Sequence, residues 1–159
     1  MKLLLRLTFF VAVLGLGACA QTGYLGDSPL DGAAGDPNSV AYFNQTLGDR
    51  VLFAVNENTL SPQAQRILDD QADWMLRNME YSALIEGHAD EQGTREYNLA
   101  LGARRAASVE AYLVSRGISP ARLNTISYGK ERPIEICSAE SCYAQNRRAV
   151  TVLSAGAGS

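Results

Sequence analysis

Between residues 39 and 153, short apolar runs of strand length alternate with two long stretches in which apolar residues recur every three to four positions. Few architectures accommodate that alternation. Ser39 is a candidate N-cap, after which Val40, Phe43 and Leu47 share a helical face and Gly48 closes the turn. Residues 50–55 are β-branched and apolar and read as a buried strand. Ser61-Pro62 opens a helix with Ala64, Leu68, Ala72, Met75 and Met79 facing inward and Asp69, Asp70, Asp73 and Arg77 outward. Residues 81–86 form a second strand, followed by a glycine-bounded polar loop over 87–93. A long helix over 95–116 presents Leu99, Ala103, Ala106, Val109 and Leu113 to the core and stops at Gly117. Residues 123–128 and 149–153 supply two more strands, separated by a loop carrying Cys137 and Cys142. The order βαβαββ predicts one compact α+β domain over 39–153 with its helices on one sheet face, and residues 154–159 a frayed tail.

The remainder of the chain has a different character. Lys2 and Arg6 precede and interrupt an apolar run from Leu7 to Leu16 that ends in small residues, which predicts a signal peptide over 1–18. The run is too short to span a bilayer, which needs about 20 predominantly apolar residues. Leu16-Gly17-Ala18-Cys19 resembles the bacterial lipobox, whose cysteine is acylated after cleavage in front of it. Ordinary cleavage beside an incidental cysteine is the alternative. From Ala20 to Asn38 the chain is rich in Gly, Pro and Asp and has almost nothing to bury, so 19–38 is expected to be a lipidated cysteine followed by a flexible tether.

Charge and cysteine usage narrow the partners. Loss of residues 1–18 removes two basic residues and no acidic ones, lowering the formal net charge from −3 to −5. That balance argues against nucleic acid as a partner. With Cys19 acylated, Cys137 and Cys142 remain in an oxidising compartment, and a disulfide is favoured over two free thiols or a metal pair, since the chain has one histidine.

The polar loop is where chemistry is to be sought. His88 is the single histidine, and no G-x-S-x-G elbow is present. Asp90 and Glu91 are sequence neighbours and do not form the spaced carboxylate pair of a glycosidase. No catalytic site, metal or cofactor is expected, and His88 reads as a satisfied structural residue orienting the loop. Asn98, Leu101 and Arg105 form a stripe beside the core stripe, marking the edge of a groove, with Arg105 leaning back toward Asp90. Periodicity alone favours a plainer alternative, a solvated helix rim with an incidental surface ion pair.

A resemblance shifts that balance. Gly48-Asp49-Arg50-Val51-Leu52-Phe53, Glu86-Gly87-His88-Ala89-Asp90-Glu91-Gln92-Gly93-Thr94, Tyr97-Asn98-Leu99-Ala100-Leu101-Gly102-Ala103-Arg104-Arg105-Ala106, Ser127-Tyr128-Gly129-Lys130-Glu131-Arg132-Pro133 and Asn146-Arg147-Arg148-Ala149-Val150 occur in this order. Over about residues 40–153 the sequence resembles the peptidoglycan-associated lipoproteins, whose domain is of the outer-membrane-protein-A C-terminal type. The resemblance implies a two-layer sandwich on a four-stranded mixed sheet. It also implies non-covalent binding of peptidoglycan through the meso-diaminopimelate of the stem peptide, chiefly by Asp90 and Arg105, with Asn98, Leu101, Asn56 and Arg147 as further contacts. One departure is that Phe53-Ala54-Val55-Asn56 lacks both aspartates of the family's usual F-D-F-D, so any contact by Asn56 must be neutral. Palmitoylation, outer-membrane anchoring, the Tol-Pal system with TolB as a protein partner, and a role in envelope integrity and constriction during division are implied in the same way. Ala20 after Cys19 is not the aspartate that retains many lipoproteins in the inner membrane.

Overall fold

The computed structural model describes residues 35–155, so the signal peptide, Cys19, most of the tether and residues 156–159 lie outside the described residues. Hydrogen bonding is already present ahead of the expected cap. Ser39 N donates to Asp36 O, and Trp74 Nε1 donates to Pro37 O at 2.7 Å, which fixes the last tether residues against the domain. Ser39 Oγ caps α1 (Val40–Tyr42) by accepting from Tyr42 N. The helix then widens into a π turn over Phe43–Gly48, ending at Gly48 with φ 91°. Such a positive φ is comfortable only for a residue without Cβ.

Strand β1 (Arg50–Leu52) is shorter than the expected 50–55. Phe53 N still bonds Arg147 O, but Ala54 O accepts from Arg105, and Asn56 takes a left-handed φ of 57°, so the ladder cannot continue. Helix α2 (Pro62–Arg77) begins with Ser61 Oγ accepting from Ala64 N and buries Ala64, Leu68, Ala72, Trp74 and Met75. Met79, expected on that inner face, lies beyond the helix end and is 72 % exposed. The carbonyls of Met75 in α2 and of Asn78 at its C-cap, together with Tyr81 O, are gathered by the guanidinium of Arg122.

Strand β2 (Tyr81–His88) extends two residues into what reads from sequence as loop. Gly87 pairs with both Ser127 and Ala149, so the central position of β2 in the sheet carries the ladder onward. Helix α3 (Arg95–Ser115), capped by Thr94, leads through a 3₁₀ turn (Pro120–Arg122) to β3 (Leu123–Gly129). Helix α4 (Glu140–Asn146) lies within the cysteine loop, and β4 (Arg148–Ala155) runs past the expected strand end into the expected tail. The sheet order is β1-β4-β2-β3, with β2 and β3 parallel and the other pairs antiparallel: a mixed four-stranded sheet.

Helices α2 and α3 cover one sheet face, enclosing Phe43, Val51, Phe53, Leu68, Trp74, Met75, Ile85, Val109 and Leu113. Leu52, Ile126 and Val152 are exposed on the other face. Near its N-terminus α3 lies on the sheet glycine to glycine. A Cβ on Gly87 would collide with the backbone of Gly102, and one on Gly102 would come within 2.8 Å of Gly87 O. This contact turns the helix. Asn98, Leu101, Gly102 and Arg105 face inward in place of Leu99, which is half-buried, and Ala103, which is exposed.

Candidate functional site

The turn of α3 toward the sheet brings the sequence-derived candidates to the C-terminal end of β2. The loop leaving β2 is tied down on several sides: Ala89 N donates to Gly129 O, Asn98 Nδ2 donates to Gln92 O at 2.8 Å, and Lys130 Nζ donates to Gly93 O at 2.7 Å. Asp90 lies inside this loop, 7 % exposed, its carboxylate accepting from Gln92 N and from Arg147 Nη1 at 3.1 Å. A carboxylate so enclosed is stable only with such donors.

Arg105 is not on a groove rim. Its side chain is wholly enclosed at 0 % exposure, with Nε donating to Glu57 O, Nη1 to His88 O and Nη2 to Ala54 O at 2.8–3.1 Å, and its guanidinium over the Phe53 ring. The expected surface stripe is inside because the Gly87–Gly102 contact draws α3 in and the exposed segment 54–57 folds over the guanidinium. Burial lowers the Arg105 pKa to about 10 against an opposing pull from Asp90, so it remains cationic at neutral pH. Three of its roughly five N–H donors are engaged.

Arg147, just ahead of β4, is also enclosed. It donates from Nε to Phe53 O and bridges Asp90 to Glu140 at the surface. Asp90, Arg105 and Arg147 therefore form one electrostatic cluster, in which two enclosed guanidiniums face one enclosed carboxylate. Asn98 and Leu101 are buried beside it, Asn98 through its hold on the loop. Asn56 stands apart on the exposed rim, where its Oδ1 accepts from Tyr97 Oη at 3.4 Å.

His88 is structural in position but not satisfied. Its backbone carbonyl orients Arg105, while neither ring nitrogen has a hydrogen-bond partner. Sequence reasoning did not single out Glu140 as a site residue, because nothing in periodicity links a loop carboxylate to Arg147. It also missed the partners of Glu91, whose Oε1 accepts from Ser138 Oγ and Tyr143 Oη and whose pKa is lowered by both, Tyr143 first. Cys137 and Cys142 are joined in a disulfide with Cα atoms 5.9 Å apart. Among the described residues no group of His, Cys, Asp and Glu is placed to hold a metal ion.

The fold and this cluster define a class. The chain belongs to the OmpA family, whose profile matches residues 52–147, and it is not an enzyme. Within that class it is 50 % identical over 153 residues to the peptidoglycan-associated lipoprotein of Mesorhizobium japonicum, covering 94 % of this chain and 90 % of the relative. It is 49 % identical over 149 residues to that of Brucella melitensis, covering 91 % and 88 %. Among solved structures it is similar to the peptidoglycan-associated lipoprotein of Burkholderia pseudomallei, with TM-score 0.68, 36 % identity, and coverage of 76 % of this chain and 98 % of that one. The C-terminal domain of Helicobacter pylori MotB shares the fold at 20 % identity and TM-score 0.62, with 69 % and 86 % coverage.

Proposed function

We propose that this chain is a non-catalytic lipoprotein of the outer membrane that grips peptidoglycan through the meso-diaminopimelate of its stem peptide. The relatives' shared name supports wall association and lipidation. The observation that carries the ligand reading is the pairing inside the site, where the enclosed Asp90 carboxylate, an acceptor for an ammonium, lies in one cluster with the enclosed Arg105 guanidinium, a donor for a carboxylate. The far carbon of diaminopimelate bears an ammonium and a carboxylate. Asp90 takes the ammonium, and the carboxylate lies at the two N–H donors that Arg105 has left, about two of five. Entry requires the exposed segment 54–57 to yield. Asn98 and Leu101 shape the wall, Arg147 holds Asp90, and Asn56 adds a neutral contact at the rim.

In this reading Cys19 carries the lipid, residues 20–38 span the gap between membrane and wall, and the domain works within the Tol-Pal system. TolB is its protein partner there, in support of envelope integrity and constriction at division. Sedimentation of the full chain with purified sacculi is the first test, and a chain left in the supernatant sinks the proposal. Calorimetric titration then assigns the chemistry. A stem peptide ending in lysine lacks the far carboxylate, and amidated diaminopimelate neutralises it. Each is expected to bind about ten- to a hundredfold more weakly than the diaminopimelate peptide, from an unpaired enclosed donor costing about 1.5 to 3 kcal/mol. Equal affinities for all three remove Arg105 as reader of the carboxylate.

A further inference from the structure

Arg147 has no free guanidinium nitrogen. Its Nε donates to Phe53 O, its Nη1 is shared between Asp90 Oδ2 at 3.1 Å and Glu140 Oε2 at 3.4 Å, and its Nη2 donates to Glu140 Oε1. Asp90 and Glu140 thus converge on one cation, but at different depths: the Asp90 side chain is 9 % exposed and that of Glu140 66 %. Of the two carboxylates, Glu140 is the one that faces solvent.

Glu140 is also presented in an unusual way. It stands inside the ring closed by Cys137 and Cys142 and opens α4. The residues around it are latched to the site loop, since Ser138 Oγ and Tyr143 Oη both donate to Glu91 Oε1, at 2.9 and 2.8 Å. Exposed ion pairs are usually weak because two long side chains must be held in one geometry. Here the backbone under Glu140 is closed by a covalent ring and pinned on both sides, so less freedom is lost when the pair forms.

We propose that Glu140 is a specificity-determining residue of the site. It holds the outer edge of Arg147, which keeps that guanidinium from capturing a carboxylate by itself, and with Asp90 it frames the place for an ammonium. The cluster then accepts a zwitterion and rejects a plain carboxylate. Without Glu140, Arg147 would offer a two-nitrogen fork to any anion. This inference rests on the diaminopimelate reading of the site.

The test uses the full chain in detergent and two stem peptides, one with meso-diaminopimelate and one with 2-aminopimelate, which keeps the far carboxylate and lacks its ammonium. The wild type is expected to prefer the diaminopimelate peptide by about tenfold or more, as like-charge repulsion at a binding site implies. In Glu140→Gln the preference is expected to fall to within about threefold, with the 2-aminopimelate peptide binding more tightly than it does to wild type. Glu140→Asp should restore part of the preference. The pair Cys137→Ser and Cys142→Ser, with Glu140 intact but its loop open, should lose part of it. If Glu140→Gln weakens both peptides equally, Glu140 is only a structural counter-ion and the inference falls while the site stands. If the wild type binds neither peptide, the site reading falls and takes this inference with it.

Discussion

His88 stacks on Tyr128 with ring centroids 5.6 Å apart and has Nε2 3.6 Å from Glu86 Oε2. Burial, followed by the nearby Arg148 and Arg132, lowers its pKa to about 4 from 6.5. The folded state therefore holds the ring neutral. Between pH 6.5 and 4 the unfolded chain binds a proton that the folded chain refuses, so this contribution is complete above pH 6.5, is lost as pH falls, and is flat below 4. Melting scans across that window should show a fall larger by roughly 10 °C than that of His88→Gln; parallel curves for the two proteins refute it. Arg105 makes a second case. A lysine ammonium cannot reach the carbonyls of Ala54, Glu57 and His88 together, so Arg105→Lys should lose about 2 to 4 kcal/mol in urea unfolding as well as ligand. Stability within 1 kcal/mol of wild type would contradict the bonding described, given that buried charged hydrogen bonds are worth about 1.5 to 3 kcal/mol each. The lean of helix side chains toward the N-terminus points Arg105 at Asp90, and the two interact electrostatically in the fold. That lean could not convey enclosure, because the segment that buries Arg105 is some 50 residues away in the chain.

The elements were mostly legible, and the places where they were not share a cause. Two helices, four strands and the stops at Gly48 and Gly117 follow from periodicity, caps and glycines. The face that α3 buries does not. A glycine inside a helix ordinarily reads as a cost of about 1 kcal/mol relative to alanine. Gly102 instead lets the helix backbone meet Gly87 of β2, a pairing across 15 residues that no local pattern announces. That contact rotates Asn98, Leu101 and Arg105 inward. The added methyl of Gly102→Ala would improve local helix propensity yet collide with Ser127 Oγ and Gly87 O. The substitution is expected to destabilise by about 2 to 3 kcal/mol, as overpacking does, and to loosen the site with it. An unchanged urea midpoint would show that the sheet and helix can part without cost. Strand β1 is shortened for a related reason: the carbonyls past Leu52 are taken by guanidiniums, Phe53 O by Arg147 and Ala54 O and Glu57 O by Arg105, and not by a neighbouring strand.

For the whole molecule, none of the described helices is long and apolar enough to cross a membrane. Retention at the membrane then depends on Cys19 in the proposed reading, and two or more acyl chains are what stable anchoring requires. Cys19→Ser should yield a chain that leaves the membrane fraction on washing, whereas continued co-fractionation would point to another means of attachment. In the same proposed reading, with the lipid at one end and the wall at the other, the domain is a link in tension. Among the described residues, a pull from the membrane side meets the local bonds that Ser39 makes to Asp36 O, and then the one from Trp74 Nε1 to Pro37 O, which ties the segment to α2. Behind that bond Trp74 is wedged between Phe43 and Tyr81, with ring centroids 5.1 and 5.2 Å away. Load taken up by that bond falls on Trp74 of α2 and the rings of Phe43 and Tyr81 about it, apart from the three-residue ladder of β1 at the sheet edge. For a tethered domain the indole would then serve as strain relief, like the clamp where a cable enters its housing.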